Sequence, residues 1–118
     1  MPVSTSETPK SIGMKDAALF RQQVYINGKW LDADSGETTV ITNPSTGEVL
    51  GTVPNCGASE AKRAIEAANE AWPKWRSKTA KERAVIMRRW YELMMENQED
   101  LARLMTAEQG KPLAEARG

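Results

Sequence analysis

The hydrophobic period of the chain changes near Pro54, and this change fixes the order of its secondary structure. Before Pro54, short β-prone runs alternate with turn-forming residues. After it, apolar residues recur every three or four positions, as they do on one face of an amphipathic helix. The sequence therefore predicts that short antiparallel strands come first and that helices follow.

Two hairpins are predicted before Pro54. The first spans Val24–Leu31, where Asn27-Gly28 favours the positive φ angles of a type I′ turn. The second has strands at residues 39–42 and 48–53, joined by a turn over residues 43–47 that is rich in turn formers.

The first predicted helix carries an apolar stripe from Ala61 to Trp75, with Ser59 as its expected N-cap. Pro73 is expected to end or kink this helix near Ala71–Trp72, because proline lacks the backbone N–H that continues a helix.

A capping box formed by Thr79 and Glu82 opens the second predicted helix. Its apolar stripe is too wide for a helix with one wet face, so we expect it to be covered on more than one side. The stripe comprises Val85, Ile86, Met87, Trp90, Tyr91, Leu93, Met94 and Met95.

A third helix is predicted after Asn97, ending at Gly110, and Pro112 suits the first turn of another. That last helix receives only a turn or two before the chain ends. Few strands, a wide apolar helix and a short last helix together predict that the chain is a truncated part of a larger fold.

Charge and composition exclude several classes of function. Sixteen basic and sixteen acidic side chains give a net charge of zero, which supplies no general attraction to nucleic acid or to an anionic membrane. No apolar run approaches the ~20 residues that span a bilayer. The absence of histidine removes His-based acid–base chemistry and Cys-His nucleophile pairs.

Residues 1–23 have no signal-peptide pattern and are predicted to form a flexible tail and lead-in.

Two residues are candidates for chemistry. Cys56, the single cysteine, precedes a predicted helix, and a thiol at a helix N-terminus can become a nucleophile. The chain has no histidine to act as its base, so Cys56 is more commonly interpreted as an ordinary loop residue. A single cysteine also fits a reducing cytoplasm.

Glu108 continues the apolar stripe of Leu101, and it could pair with Lys111 or Arg103, remain exposed, or bind a cation together with backbone carbonyls. No glycine-rich phosphate loop is present, so no catalytic or cofactor-binding residue is predicted in this chain.

Five motifs in order resemble the beginning of an aldehyde dehydrogenase, most closely the bacterial succinate-semialdehyde dehydrogenases. The resemblance covers Val24 to Gly118. The motifs are I-N-G-x-W at 26–30, N-P-x-T-G at 43–47, A-x-x-x-W at 71–75, R-A-x-x-x-R-x-W at 83–90 and E-x-G-K-P at 108–112.

The resemblance implies an α/β fold of which only the N-terminal part, short antiparallel strands followed by helices, is present. Residues 24–118 would be the N-terminal part of an NAD(P)-binding domain, truncated before the first nucleotide-contacting strand. The full-length enzyme would oxidise succinate semialdehyde with NAD or NADP, through cysteine attack, hydride transfer and thioester hydrolysis. It would be a cytoplasmic homo-oligomer, a dimer or a tetramer. Its nucleophile, general base and cofactor contacts belong to later motifs, so this chain alone is expected to be inactive and to bind no cofactor.

The resemblance also implies a monovalent cation site formed by Glu108 with backbone carbonyls around Ile41 and Thr42. Two alternatives stay open at this point. The chain could be a non-catalytic helical module that binds a partner through the face of Trp90, Met94 and Met95, or it could belong to an aldehyde dehydrogenase of another substrate class.

Overall fold

A computed structural model describes residues 8–118, and its described residues divide into two compact units. One unit comprises residues 8–22, 39–53 and 97–118; the other comprises residues 23–38 and 54–96. Among the described residues, no helix is both long and apolar enough to cross a membrane.

The first predicted hairpin is confirmed. Strands β1 (Val24–Ile26) and β2 (Lys29–Leu31) pair antiparallel, with Tyr25 opposite Trp30. Their rings lie 5.1 Å apart between centroids. Asn27 and Gly28 have φ angles of 51° and 76°, the left-handed values that a type I′ turn requires at both central positions.

The second hairpin is also confirmed, each strand within one residue of its predicted bounds. Strands β3 (Thr38–Thr42) and β4 (Val49–Pro54) form a two-stranded sheet. In the turn between them, the side-chain oxygen of Asn43 accepts hydrogen bonds from the N–H groups of Ser45 and Thr46, at 2.9 and 3.3 Å. This local bonding explains why the Asn-Pro-Ser-Thr-Gly run closes the hairpin.

Helix α1 (Ala58–Arg76) departs from the prediction at both ends. Its N-cap is Gly57 rather than Ser59, because the Glu60 carboxylate accepts the Gly57 N–H at 2.6 Å and so satisfies the first turn. Pro73 does not end the helix, which continues to Arg76. A proline removes one hydrogen bond of the helical ladder, and here the turns on both sides of it persist.

Helix α2 (Ala80–Glu96) begins with the predicted capping box. The Thr79 N–H donates to the Glu82 carboxylate at 2.7 Å, and the Glu82 N–H donates to the Thr79 hydroxyl at 3.2 Å. The apolar stripe of α2, expected to be covered on more than one side, is exposed along its length in this chain.

Helices α3 (Gln98–Gln109) and α4 (Leu113–Ala116) confirm the predicted break between them. Gly110 ends α3 with a φ of 80°, and its N–H donates to the Thr106 carbonyl at 2.9 Å. This left-handed cap followed by Pro112 matches the Gly-then-Pro pattern of the sequence.

The core of the first unit is small and includes residues that the sequence assigned to a tail. Ile12, Leu50 and Ala107 are buried together, with Met14, Phe20, Ile41 and Leu104 packed against them. Residues 10–12 and 17–19 form short 3-10 helices. Within the predicted tail and lead-in of residues 1–23, the side chains of Ile12, Met14 and Phe20 thus reach the core, and residues 1–7 lie outside the described part.

Candidate functional site

The three residues of the predicted cation site come from β3 and α3 of one unit. Glu108 lies exposed in the last turn of α3, and Thr42 is exposed at the end of β3. Ile41 is partly buried against the cluster that contains Ala107, the residue before Glu108. A carboxylate and backbone carbonyls supply the hard oxygen ligands that such cations prefer.

The ion pairs considered for Glu108 are not found in the described part of the chain. Arg103 pairs instead with Glu99, at 3.2 Å between Nε and Oε1, one helical turn earlier. No group of three or more His, Cys, Asp or Glu side chains that could hold a metal occurs among residues 8–118. A site built largely from backbone carbonyls is not such a group, so the set of Glu108, Ile41 and Thr42 stays a prediction.

Cys56 is exposed directly before the N-cap of α1. A thiol at this position has the helix N-terminus beside it, but nucleophilic catalysis also requires a base within hydrogen-bonding reach. The chain has no histidine to provide that base. The structure therefore adds no support for a catalytic role of Cys56.

Sequence reasoning missed a polar cluster at the start of α1. The Arg63 guanidinium binds both carboxylate oxygens of Asp34, at 2.8 and 2.9 Å, and the Ser59 hydroxyl donates to the same carboxylate at 2.5 Å. Glu60 is buried, and its two oxygens accept the N–H groups of Asp34 and Gly57, at 2.9 and 2.6 Å. The contacts of Asp34 tie the loop after β2 to the first turns of α1, and the Gly57–Glu60 bond caps that helix.

The hydrogen bonds of this cluster shift the acidity of its carboxyl groups. Arg63, followed by Ser59, holds the pKa of Asp34 well below its usual range. The N–H groups of Asp34 and Gly57 lower the pKa of Glu60. Because both carboxyl groups are stabilised in the charged form mainly by hydrogen-bond donors, the cluster fastens the loop after β2 to helix α1.

Asp100 is a second buried carboxylate that the sequence did not reveal. Its two oxygens accept the N–H groups of Lys15 and Asp16, at 2.9 and 2.8 Å. These backbone hydrogen bonds lower its pKa. The partners are 84 and 85 residues apart in the chain, so no local pattern could have indicated the contact.

A small cleft lies between the segment around Ser11, the Asn43 turn and helix α3. Its volume is about 190 Å³, below the roughly 300–1,000 Å³ of pockets that take drug-sized ligands and cofactors. The Thr106 hydroxyl is buried without a hydrogen-bond partner in the described part of the chain. This cleft does not fit a dinucleotide. Its lining comprises Ser11, Ile12, Asn43, Arg103, Thr106, Ala107 and Leu113.

Comparison with known proteins gives a family and a measure of how much of it is present. The sequence model of the aldehyde dehydrogenase family matches residues 30–118. Glutarate-semialdehyde dehydrogenase of Pseudomonas putida is 70% identical over 105 residues, which are 89% of this chain and 22% of that protein. Succinate-semialdehyde dehydrogenase (NADP(+)) of Escherichia coli is 63% identical over 105 residues, again 89% of this chain and 22% of that protein.

Solved structures agree with the sequence matches. The crystal structure of succinate-semialdehyde dehydrogenase from Burkholderia pseudomallei superposes with a TM-score of 0.86 at 60% identity. The match covers 89% of this chain and 22% of that one, so the chain spans about a fifth of the length of the relatives that it matches. Family sequence, order of elements and three-dimensional likeness agree, and the chain belongs to the aldehyde dehydrogenase family.

Proposed function

We propose that this chain is the N-terminal part of an NAD(P)-dependent dehydrogenase that oxidises a semialdehyde with a distal carboxylate. The substrate first predicted is succinate semialdehyde, and its homologue with one more carbon, glutarate semialdehyde, belongs to the same chemical class. In a polypeptide of the relatives' length, residues 24–118 begin the NAD(P)-binding domain.

The observation that carries this proposal is the identity to semialdehyde dehydrogenases. Three relatives named for glutarate or succinate semialdehyde are 63–70% identical over 105 residues. These substrates share an aldehyde at one end and a carboxylate at the other. Because the relatives are named for both substrates, they support oxidation of a semialdehyde to a dicarboxylate more strongly than they support a four-carbon or a five-carbon substrate.

The role of this chain in that reaction is structural. Buried Glu60 and the Asp34–Arg63 pair fasten the loop after β2 to α1, and Asp100 fastens the segment at Lys15 to α3. Nucleophile, general base and cofactor contacts lie in other parts of the enzyme. The chain by itself is inactive and binds neither NAD nor NADP.

Glu108 and the carbonyls of Ile41 and Thr42 bind a monovalent cation in this proposal. Two observations support this site. The Glu108 carboxylate is exposed and forms no ion pair with Arg103 or Lys111 within residues 8–118. Glu108 also ends a helix that packs on the apolar cluster to which Ile41 belongs. The enzyme acts on a small-molecule aldehyde as a cytoplasmic homo-oligomer, a dimer or a tetramer, with no nucleic-acid or membrane partner. The family resemblance and the balanced net charge support this part.

The test is substrate preference in a polypeptide of the relatives' length that begins with this sequence. We expect kcat/KM for succinate or glutarate semialdehyde to exceed that for acetaldehyde by at least about 100-fold, the effect expected of a substrate site that pairs the distal carboxylate with a buried cation. Each substrate is measured with NAD and with NADP. A preference for acetaldehyde would reject the substrate class and leave the family assignment intact.

A further inference from the structure

Residues 10–22 form a segment that lies on the core of the first unit, and we call this segment the strap. Near its beginning, Ile12 is buried in the cluster with Leu50 and Ala107. Near its end, Phe20 packs against the same cluster. These contacts are formed within this chain, so they do not depend on surface that a longer polypeptide would cover.

A buried carboxylate holds the middle of the strap to α3. The two oxygens of Asp100 accept the N–H groups of Lys15 and Asp16, at 2.9 and 2.8 Å. An unpaired buried charge is strongly unfavourable. The two N–H groups therefore leave Asp100 together, when water can enter and replace them.

Close packing on β4 holds the end of the strap. The side-chain oxygen of Gln22 accepts the Thr52 N–H at 2.9 Å. Beside it, Gly51 is buried, and a Cβ atom added there would collide with the Gln22 side chain and lie 3.1 Å from the Phe20 ring. Gly51 is not among the glycines with positive φ, so alanine at this position would disturb the strap and not the backbone of β4.

The two attachment points are joined by a short and partly helical piece of chain. Only residues 17–21 separate them, and Ala17–Leu19 form a 3-10 helix. The Asp16 side chain caps this helix by accepting the Ala18 N–H at 3.0 Å. A displacement at Asp100 is therefore passed along the strap to Gln22.

We propose that the strap opens from the first unit and closes on it as a single cooperative segment. Opening uncovers Leu50 and releases both Asp100 and the Thr52 N–H, while α3 and the β3–β4 hairpin stay folded. Proteins open in contiguous units of this kind, whose free energies lie below that of global unfolding. The proposal does not rest on the enzymatic activity proposed above.

Hydrogen–deuterium exchange tests the proposal in a polypeptide of the relatives' length that begins with this sequence. Protection is read by mass spectrometry against the intrinsic exchange rate of each amide. Asp100→Asn should lower the protection of the Lys15 and Asp16 amides by at least about tenfold, because hydrogen bonds to a charged group are the stronger ones. The Thr52 amide, whose hydrogen bond is to Gln22, should lose protection by the same factor.

Gly51→Ala perturbs the strap from its other end. It should lower the protection of the Lys15 and Asp16 amides by at least about fivefold, because overpacking displaces the strap. Glu99→Gln is the matched control for Asp100→Asn. It removes the neighbouring carboxylate of α3, which pairs with Arg103 and Arg117, so strap protection should change by less than about twofold.

Two amides outside the strap report whether the rest of the first unit stays folded. The Asn43 N–H donates to the Glu48 carbonyl at 2.8 Å, and the Gly110 N–H donates to the Thr106 carbonyl at 2.9 Å. Both should keep their protection in Asp100→Asn. A Thr52 amide that also keeps its protection in this variant would overturn the proposal, because the two attachment points would then open independently. An equal loss of protection at Asn43 and Gly110 would overturn it as well, because the unit would then open as a whole.

Discussion

Replacing Leu50 by alanine should destabilise the first unit more than any exposed substitution on the same strand. Leu50 is 2% exposed, and it lies on β4 in the cluster with Ile12 and Ala107. The change deletes three carbon atoms, which contribute about 0.8 kcal/mol each. The cavity adds to this loss, because packed neighbours relax only in part. We therefore expect the free energy of unfolding to fall by about 2–4 kcal/mol.

Urea titration followed by circular dichroism, with amide hydrogen exchange on β4 and α3, measures this loss. Val49→Ala is the matched control, since Val49 is the neighbouring residue on β4 and is 59% exposed. Its effect should stay below about 1 kcal/mol. Because 1.4 kcal/mol is a tenfold change in the unfolding equilibrium, the two variants are readily separated. Equal losses for both substitutions would refute the assignment of Leu50 to the core.

Three further predictions follow from individual contacts. Thr79→Ala should cost about 1 kcal/mol through loss of the capping box of α2, seen as a lower urea midpoint for helical signal; an unchanged midpoint would show that the cap is not formed in solution. Asp100 has a lowered pKa because it accepts the N–H groups of Lys15 and Asp16, so its stabilisation is present above its unfolded pKa of about 3.9 and is lost as pH falls through the lower folded value. Protection of the Lys15 and Asp16 amides, measured against the intrinsic exchange rate at each pH, should therefore fall in strong acid. It should already be low at neutral pH in Asp100→Asn, and full protection in that variant would contradict the role of Asp100. In a polypeptide of the relatives' length, K⁺ at ten times its dissociation constant should stabilise the fold by about 1.4 kcal/mol relative to choline at equal ionic strength, and Glu108→Gln should abolish the difference; stabilisation that survives in the variant would exclude Glu108 as a ligand.

Local features of the fold were predictable because local residues determine them. Asn27-Gly28 specifies a type I′ turn by its tolerance of positive φ, and the Thr79–Glu82 box needs only four consecutive residues. The end of α3 at Gly110 is likewise set by the one residue that adopts a left-handed cap at no steric cost.

Features that depend on distant contacts were not predictable. Ser59 has the chemistry of an N-cap, but its hydroxyl is bonded to Asp34, 25 residues away, and Gly57 takes the cap position instead. The segment around Ile12 has a tail-like composition, yet Asp100 and the Leu50 cluster hold it in place. Nothing in a single sequence reports which distant carboxylate accepts a given N–H.

The candidate cation site and the enzymatic activity were reached through family resemblance, since the residues of this chain contain no complete set of catalytic groups. Cys56 and Glu108 each had an ordinary structural interpretation beside the functional one. The comparisons decide the family, and they leave the role of Glu108 to experiment.

The central claim is that this chain supplies part of the scaffold of an enzyme and none of its catalytic groups. The most direct test is to assay the purified 118-residue chain for reduction of NAD or NADP in the presence of succinate semialdehyde. We predict no increase in the absorbance of the reduced nicotinamide above a blank without protein, and the same result for a Cys56→Ser variant. Turnover by the wild-type chain that disappears in Cys56→Ser would contradict the account, because it would place a working nucleophile within these 118 residues.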